Sequence, residues 1–222
     1  MIEFGHATHP GLRHRYNEDS YGIDAAGGCF VVVDAMGGPG HGEAIAALAR
    51  ETALRGMRAG MALPAVLRQA SATVADWLGT HPLPHPAGAA IALLRLREPD
   101  FELAWVGDCT VLLGGSDPAQ VAVASALPCA DAAHAASVAT ALLGSGAADE
   151  LRIGLRSGRL RLPAALLLCS DGVIEASSLQ ARQRALTTQE IGAQEAVDTL
   201  LLDALAQQAH DNLTAVLVRL RR

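Results

Sequence analysis

The sequence contains no lysine, so all 17 of its basic residues are arginine. The net charge is −6, and no block of like charge could serve as a basic arm, which argues against nucleic-acid binding. The N-terminus lacks an apolar run long enough for a signal peptide, and later apolar stretches are interrupted well short of a membrane span. We therefore expect a cytoplasmic protein that binds neither nucleic acid nor membranes.

The sequence also lacks a CxxC pair. Its four cysteines are widely spaced, at Cys29, Cys109, Cys129 and Cys169. Three of them lie in apolar, strand-like surroundings, where cysteine behaves as a small hydrophobe, so we expect reduced, structural thiols.

A chain of 222 residues that is 50% apolar is long enough for one well-cored domain and too short for two. The expected unit is a single domain over residues 1–222.

The segment Phe30–Glu43 combines an apolar run, a glycine-rich turn and the start of an alanine-rich helix. Its first residues are aromatic or β-branched, which predicts a buried strand that ends at Asp34. The glycines of the turn remove side chains that would keep the backbone away from a small ligand. A lone aspartate at a strand end more often forms a turn or caps a helix, so this segment alone predicts no function.

Two further aspartates stand at the edges of apolar runs. Asp171 follows the run that ends at Cys169, and Asp211 comes just before the run that starts at Leu213. Together with Asp34 they provide carboxylates from three distant segments, which suits Mg²⁺ or Mn²⁺ because these hard cations take oxygen ligands.

The remaining patterns predict an α+β layered sandwich, because strands occur in hairpins and helices occur in pairs. A helix at Gly42–Gly60 has its apolar residues at helical spacing, and a second begins at Pro64. Three further strands, at Ala89–Leu96, Phe101–Val106 and Cys109–Leu113, are predicted to form an antiparallel meander. The other predicted elements are strands at Ile2–Thr8, Ser20–Ile23, Ala165–Cys169 and Leu213–Leu220, a hairpin of Leu151–Leu155 with Leu160–Leu162 around Ser157-Gly158, a short helix near Ala133–Leu143 and a long helix at Thr188–Ala209.

Five short motifs occur in a fixed order: Asn17-Glu18-Asp19, Asp34-Ala35-Met36-Gly37-Gly38, Val106-Gly107-Asp108, Ser170-Asp171-Gly172 and Asp211-Asn212-x-Thr214. In this order and spacing the chain resembles the type 2C metal-dependent Ser/Thr protein phosphatases (PPM), bacterial branch. The resemblance implies a four-layer α-β-β-α sandwich of two antiparallel sheets flanked by helix pairs, with metals in a cleft at one edge of the sheets.

The resemblance also implies site residues. Asp34 would bridge two Mn²⁺ or Mg²⁺ ions, the carbonyl of Ala35 would ligate one of them, and Asp171 and Asp211 would hold the other. A metal-bound water held by Asp34 would attack the phosphate, since two cations roughly 3.5–4 Å apart lower the pKa of a bridging water. No protein nucleophile is then required.

Further acidic residues take supporting roles by the same resemblance. Glu18 and Asp19 would act through metal-bound waters, and Asp108 would help to hold a third, weaker cation. Each of these residues could instead cap a turn beside a strand.

The chain departs from the family pattern at several positions. His14 stands where the family has a phosphate-binding arginine, and Arg13 or Arg15 could take that role, because guanidinium binds phosphate through a planar fork. Ala35 replaces a glycine of the metal loop. The segment Gly114–Ala147 is shorter and more apolar than the flap expected there.

The implied activity is hydrolysis of phosphoserine and phosphothreonine in proteins, as part of signal transduction. The expected partner is a phosphorylated protein targeted by a Ser/Thr kinase, and the expected state is a monomer. One alternative is a phosphatase-fold module that binds phosphoproteins without hydrolysis. A dinucleotide-binding oxidoreductase is disfavoured, because Leu54–Val66 lacks the acidic residue that such a site needs.

Overall fold

Ten strands in the described residues of the computed structural model form two antiparallel sheets; the structure describes residues 2–115, 122–123, 142–144 and 151–221. The first sheet has the order β1-β10-β9-β6-β7 and the second has the order β2-β3-β4-β5-β8. The strands are β1 (Ile2–His9), β2 (Asp19–Asp24), β3 (Cys29–Met36), β4 (Gly88–Arg97), β5 (Asp100–Val106), β6 (Thr110–Gly115), β7 (Ala122–Val123), β8 (Gly154–Arg159), β9 (Ala164–Cys169) and β10 (Leu213–Leu220).

Helices cover the outer face of each sheet. The described helices are α1 (His41–Arg58), α2 (Leu63–Thr80), α3 (Asp171–Ala176), α4 (Leu179–Thr187) and α5 (Ala193–Ala206). The helices α1 and α2 pack on the second sheet, and α3 to α5 pack on the first. No helix in these parts of the chain is long and apolar enough to cross a membrane.

Strand alternation builds the layers between these elements. In β3, Val31 and Val33 pack against α1 and α2, whereas Phe30 and Val32 face the first sheet. In β9, Leu166 faces the second sheet and its neighbour Leu167 faces the helices. Successive residues therefore join different cores, which explains why β9 is apolar throughout and β3 is apolar except at Asp34. The predicted α-β-β-α sandwich is confirmed.

The predicted hairpin around Ser157-Gly158 is wrong. Residues Gly154–Arg159 form one strand, which pairs with β5 so that Gly158 lies opposite Phe101. Phe101 packs where a side chain at Gly158 would lie, so this glycine accommodates a ring and does not mark a turn.

The predicted meander of three strands is also wrong at its third member. The strands β4 and β5 pair as expected, but β6 crosses to the first sheet and pairs with β9. Gly107, at φ +80°, turns the chain at this crossing, where a Cβ would lie 2.5 Å from that of Ala90. Glycine is therefore required there both by conformation and by space.

The last predicted helix is shorter than expected. It begins after Gly192, which has extended backbone, and it ends before Gln208, whose φ of 62° is left-handed. Two shorter helices, α3 and α4, precede it and were not predicted, since each is too short to give a clear apolar period. The predicted helix near Ala133–Leu143 and the flap lie almost entirely outside the described residues; within them, Leu143 bridges Ala89.

Candidate metal centre

Asp34 lies between the two sheets. The strand β3 continues beyond it to Met36, so Asp34 is inside the strand and not at its end as predicted. It shares the inward face with Phe30 and Val32, because residues two apart in a strand point the same way. A carboxylate is thereby directed into the space between the sheets.

Asp19 lies directly opposite Asp34 in the register of β2 and β3. Ser170 follows β9 of the other sheet, and its hydroxyl donates to Asp19 Oδ2 at 2.8 Å. The same hydroxyl accepts from the Thr214 backbone N–H at 3.0 Å. Ser170 therefore ties the two sheets together beside Asp34, a role that the sequence did not indicate.

Asp171 and Asp211 come from adjacent strands of the first sheet. Asp171 follows β9 and begins α3, while Asp211 precedes β10. Because β9 and β10 pair with Cys169 opposite Ala215, the end of one strand meets the start of the other. A Cβ at Gly172 would lie 2.2 Å from the Asn212 carbonyl oxygen, so only glycine permits this approach.

Asn212 holds the segment that carries Glu18. Its side-chain amide donates to the carbonyls of Pro10 at 2.9 Å and Tyr16 at 3.1 Å. Its Oδ1 accepts from the Glu18 backbone N–H at 2.7 Å. The motif at Asp211-Asn212 was noticed in the sequence, but this positioning role depends on contacts between distant segments and could not be inferred from it.

Nearly all of the predicted site residues line one cavity of about 690 Å³. Asp19, only 9% exposed, lies beneath its surface and is the exception. Met36, Pro86 and Leu142 supply apolar parts of the wall. The predicted residues that line the cavity are Arg13, His14, Arg15, Glu18, Asp34, Ala35, Asp108, Asp171 and Asp211.

The three residues of the predicted phosphate clamp lie at the rim of this cavity. His14 Nε2 is 3.6 Å from Asp211 Oδ1, and both side chains are 54% exposed. The Arg15 guanidinium lies over the Tyr16 ring, 5.7 Å from its centroid. All three are therefore near the carboxylates, with His14 the one in contact with an acidic residue.

Burial and mutual repulsion raise the pKa values of three of these carboxyl groups. Burial raises the pKa of Asp34 well above its usual range, and the charges of Asp19, Asp171 and Asp108 raise it further. Burial also raises the pKa of Asp19 to about 7, against the opposing hydrogen bonds from Ser170 and Thr214. The pKa of Asp171 is raised as well, chiefly by burial. Each of these side chains is costly to ionise without a compensating cation.

The donor set fits a hard divalent cation. The Asp34 and Asp171 carboxyls lie close enough that each alters the pKa of the other. Within the described ranges, no group of three or more His, Cys, Asp or Glu side chains is spaced as a metal cluster. The cavity offers carboxylate oxygens, as Mg²⁺ and Mn²⁺ prefer, and a cation among them would offset the repulsion that adds to burial in raising these pKa values.

Asp19→Asn is expected to stabilise the protein in the presence of a chelator. A buried acid with a raised pKa binds its proton more tightly when folded, so the folded state loses stability as the pH rises from the usual 3.8 towards about 7. Asparagine carries no charge and keeps an acceptor for Ser170. The difference in Tm between variant and parent should therefore grow between about pH 4 and about pH 7.

The matched control is Asp76→Asn, which changes an exposed carboxylate on α2. Its Tm difference from the parent should stay nearly constant over the same range. If the Asp19→Asn difference were equally flat, Asp19 would not be destabilising in the ionised form.

Comparisons with protein-family models and with curated proteins gave no match for this chain. Comparison with solved structures found proteins of similar fold. The catalytic domain of the serine/threonine protein phosphatase PstP, in complex with two manganese ions, superposes with a TM-score of 0.82 at 19% identity, covering 100% of this chain and 99% of that one.

Two further solved structures have the same fold. The PPM Ser-Thr phosphatase MsPP from Mycobacterium smegmatis, in complex with cacodylate, gives a TM-score of 0.76 at 23% identity over 99% of this chain and 98% of that one. PppA, a key regulatory component of T6SS in Pseudomonas aeruginosa, gives a TM-score of 0.83 at 23% identity, covering 98% of this chain and 97% of that one. The chain thus has the fold of the bacterial PPM-type Ser/Thr phosphatases, and the resemblance seen in the sequence is confirmed at that level.

Proposed function

We propose that residues 1–222 form one phosphatase domain that hydrolyses phosphoserine and phosphothreonine in proteins with Mn²⁺ or Mg²⁺. The supporting observation is the convergence of carboxylates from separate segments on one cavity whose rim carries Arg13, His14 and Arg15. The similar folds of manganese-bound PstP and of MsPP add support.

In this proposal Asp34, the Ala35 carbonyl, Asp171 and Asp211 hold two cations. When bound, the cations would supply an activated water and neutralise the phosphoryl oxygens. Asp34 is suited to the bridging position because it is fixed within β3 and surrounded by other carboxylates. The fixed strand geometry avoids reorganisation of the site when the ions bind.

The supporting residues orient this site from both sheets. Asp19 is anchored by Ser170, and the Glu18 backbone is anchored by Asn212, so their carboxylates can act through bound waters. Asp108 lines the same cavity and would help to hold a third, weaker cation.

The substrate would be a phosphorylated segment of another protein, the target of a Ser/Thr kinase in the cytoplasm. The arginines at the rim can bind the phosphate, because guanidinium forms charge-assisted hydrogen bonds to it. Met36, which is 45% exposed, and Pro86 offer apolar contact to residues beside the phosphorylated one. We place the protein in this role as a monomer.

Hydrolysis of phosphoserine and phosphothreonine peptides is expected to require added Mn²⁺ and to stop after treatment with EDTA. The reason is that phosphate attack depends on cations held by carboxylates, with no protein nucleophile to replace them. Phosphate release, measured before chelation, after it and after Mn²⁺ is restored, checks this. Activity that survives exhaustive chelation would contradict the proposal.

The second candidate is a phosphoprotein-binding module without catalysis. It is favoured by His14, which faces Asp211 where the family has a permanently charged arginine. The regulatory description of PppA is compatible with either candidate. Binding of a phosphopeptide in the presence of Mn²⁺ with no phosphate release would favour the module.

A further inference from the structure

Positive charge is concentrated along β8 and its flanks. Between residues 151 and 170 there are four arginines and no acidic residue, in a chain of net charge −6. All four side chains are exposed: Arg152, Arg156, Arg159 and Arg161. Because isoleucine, glycine, leucine and serine separate them, these arginines form no run of like charge, and the sequence alone does not indicate this basic edge.

The strand β8 stands at the edge of the second sheet. Among the described strands it pairs only with β5, and five of its six residues are exposed. A strand at the edge of a sheet presents backbone N–H and C=O groups that another extended chain can pair with. Its backbone is therefore suited to accept a further strand.

A groove runs beside this strand on the face that carries α2. The cavity here measures about 540 Å³ and is lined by Pro64, Arg97 and Leu155, among others. Leu155 is 58% exposed, which is high for a large apolar side chain in a strand. The edge thus offers apolar contact as well as positive charge.

The arginines of this surface are available to a ligand in different degrees. Arg95 is buried and bonds to the Met61 carbonyl at 2.6 Å and to Glu102, so it belongs to the fold. Within the described parts of the chain, neither Arg97 nor Arg159 makes a hydrogen bond or ion pair through its side chain. Arg159 is on the same face as Leu155, whereas Arg156 is on the opposite face and donates to the Val123 carbonyl at 3.3 Å.

We propose that β8 binds an extended acidic segment of a protein partner, which adds to the second sheet as a further strand. An acidic side chain on one face of that segment meets Arg159, and an apolar side chain on the same face packs on Leu155. An acidic side chain on the other face meets Arg156. Strand addition gives affinity through main-chain hydrogen bonds and specificity through alternate side chains.

A polypeptide fits this surface better than a nucleic acid does. Only a polypeptide can continue the ladder of backbone hydrogen bonds, and the exposed Leu155 offers a phosphate backbone nothing. The negative net charge of the chain also opposes a long polyanion. None of the described residues that line the carboxylate cavity comes from β8, so docking here leaves that cavity open.

The test uses the full chain and a short fluorescent peptide that contains the sequence Leu-Glu-Ser-Thr-Glu, followed by anisotropy. In an extended segment the second glutamate lies on the same face as the leucine and the first lies on the opposite face. We expect binding that weakens with salt, and a loss of at least about tenfold in affinity for the double variant Arg156→Glu/Arg159→Glu. A peptide of equal charge with prolines at alternate positions should bind at least about tenfold more weakly, because proline cannot donate to the ladder.

The matched control is Arg68→Glu/Arg184→Glu, which makes the same change in net charge at exposed positions on α2 and α4. It should leave peptide affinity unchanged. Thermal unfolding of both double variants checks that the fold is kept. Phosphatase activity is not part of the readout, so failure here does not affect the proposed catalysis.

Four results would overturn the proposal. The first is no binding of the acidic peptide by the parent, which would leave the arginines with the role of preventing aggregation at the sheet edge. The second is equal binding of the proline peptide, and the third is an equal loss of peptide affinity in the control double variant. The fourth is equally tight binding of a single-stranded oligonucleotide of the same charge.

Discussion

Asp34→Asn is expected to lower kcat for phosphopeptide hydrolysis by about three orders of magnitude or more, because it removes the charge proposed to bridge two cations. Asn keeps the shape of the side chain and one oxygen, so the loss should come from the missing charge. Burial and three neighbouring carboxylates already raise the pKa of Asp34 well above its usual range. An ionised Asp34 is therefore unfavourable without a compensating cation, the role proposed for the metal ions.

The same substitution should leave the fold intact. Without metal, an ionised Asp34 is repelled by Asp19 and Asp171, so the neutral asparagine should not lower the Tm measured with chelator. With Mn²⁺, the parent should gain thermal stability and the variant should gain much less. This combination separates loss of metal binding from unfolding.

The control for Asp34→Asn is again Asp76→Asn, which should keep the parent kcat. Asp171→Asn and Asp211→Asn should resemble Asp34→Asn in direction. If Asp34→Asn hydrolysed substrate at the parent rate over a range of Mn²⁺ concentrations, the assignment of Asp34 to a two-metal site would be wrong.

The candidate site could be predicted where a residue and its strand lie together in the sequence. Asp171 and Asp211 each adjoin a fully buried apolar strand, β9 or β10, and this local pattern places them at the strand ends. Asp34 was placed on the correct strand but two residues too close to its end, since Ala35 and Met36 continue the ladder with β4. Local propensity sets the element, whereas pairing with a neighbour sets its length.

The contacts between distant segments could not be predicted. Ser170 reaches Asp19 across the two sheets, and Asn212 reaches Glu18 across 194 positions of sequence. The crossing of β6 to the first sheet and the single strand of β8 likewise depend on pairing partners that a local pattern does not specify. A glycine beside an aromatic ring and a glycine in a turn look alike in sequence.

His14→Arg is expected to raise kcat/KM for phosphopeptides by about tenfold to hundredfold, because a charge-assisted hydrogen bond to phosphate contributes about 1.5–3 kcal/mol. A neutral imidazole gives one donor, whereas guanidinium gives a planar fork and a permanent charge. His14 already lies at the rim of the cavity, 3.6 Å from Asp211, so a longer side chain there can reach a phosphate bound among the carboxylates. Steady-state kinetics with a phosphothreonine peptide measures the effect.

The neighbouring arginines decide how this result is interpreted. If Arg13 or Arg15 already binds the phosphate, its alanine variant should lose a similar factor while His14→Arg gains little. His85→Arg adds the same charge at another residue lining the cavity and serves as the control, with no comparable gain expected. A gain shared by His14→Arg and His85→Arg would point to general attraction of the substrate. Parent kinetics in all of these variants would mean that the rim does not bind phosphate, which would leave that task to the cation site alone.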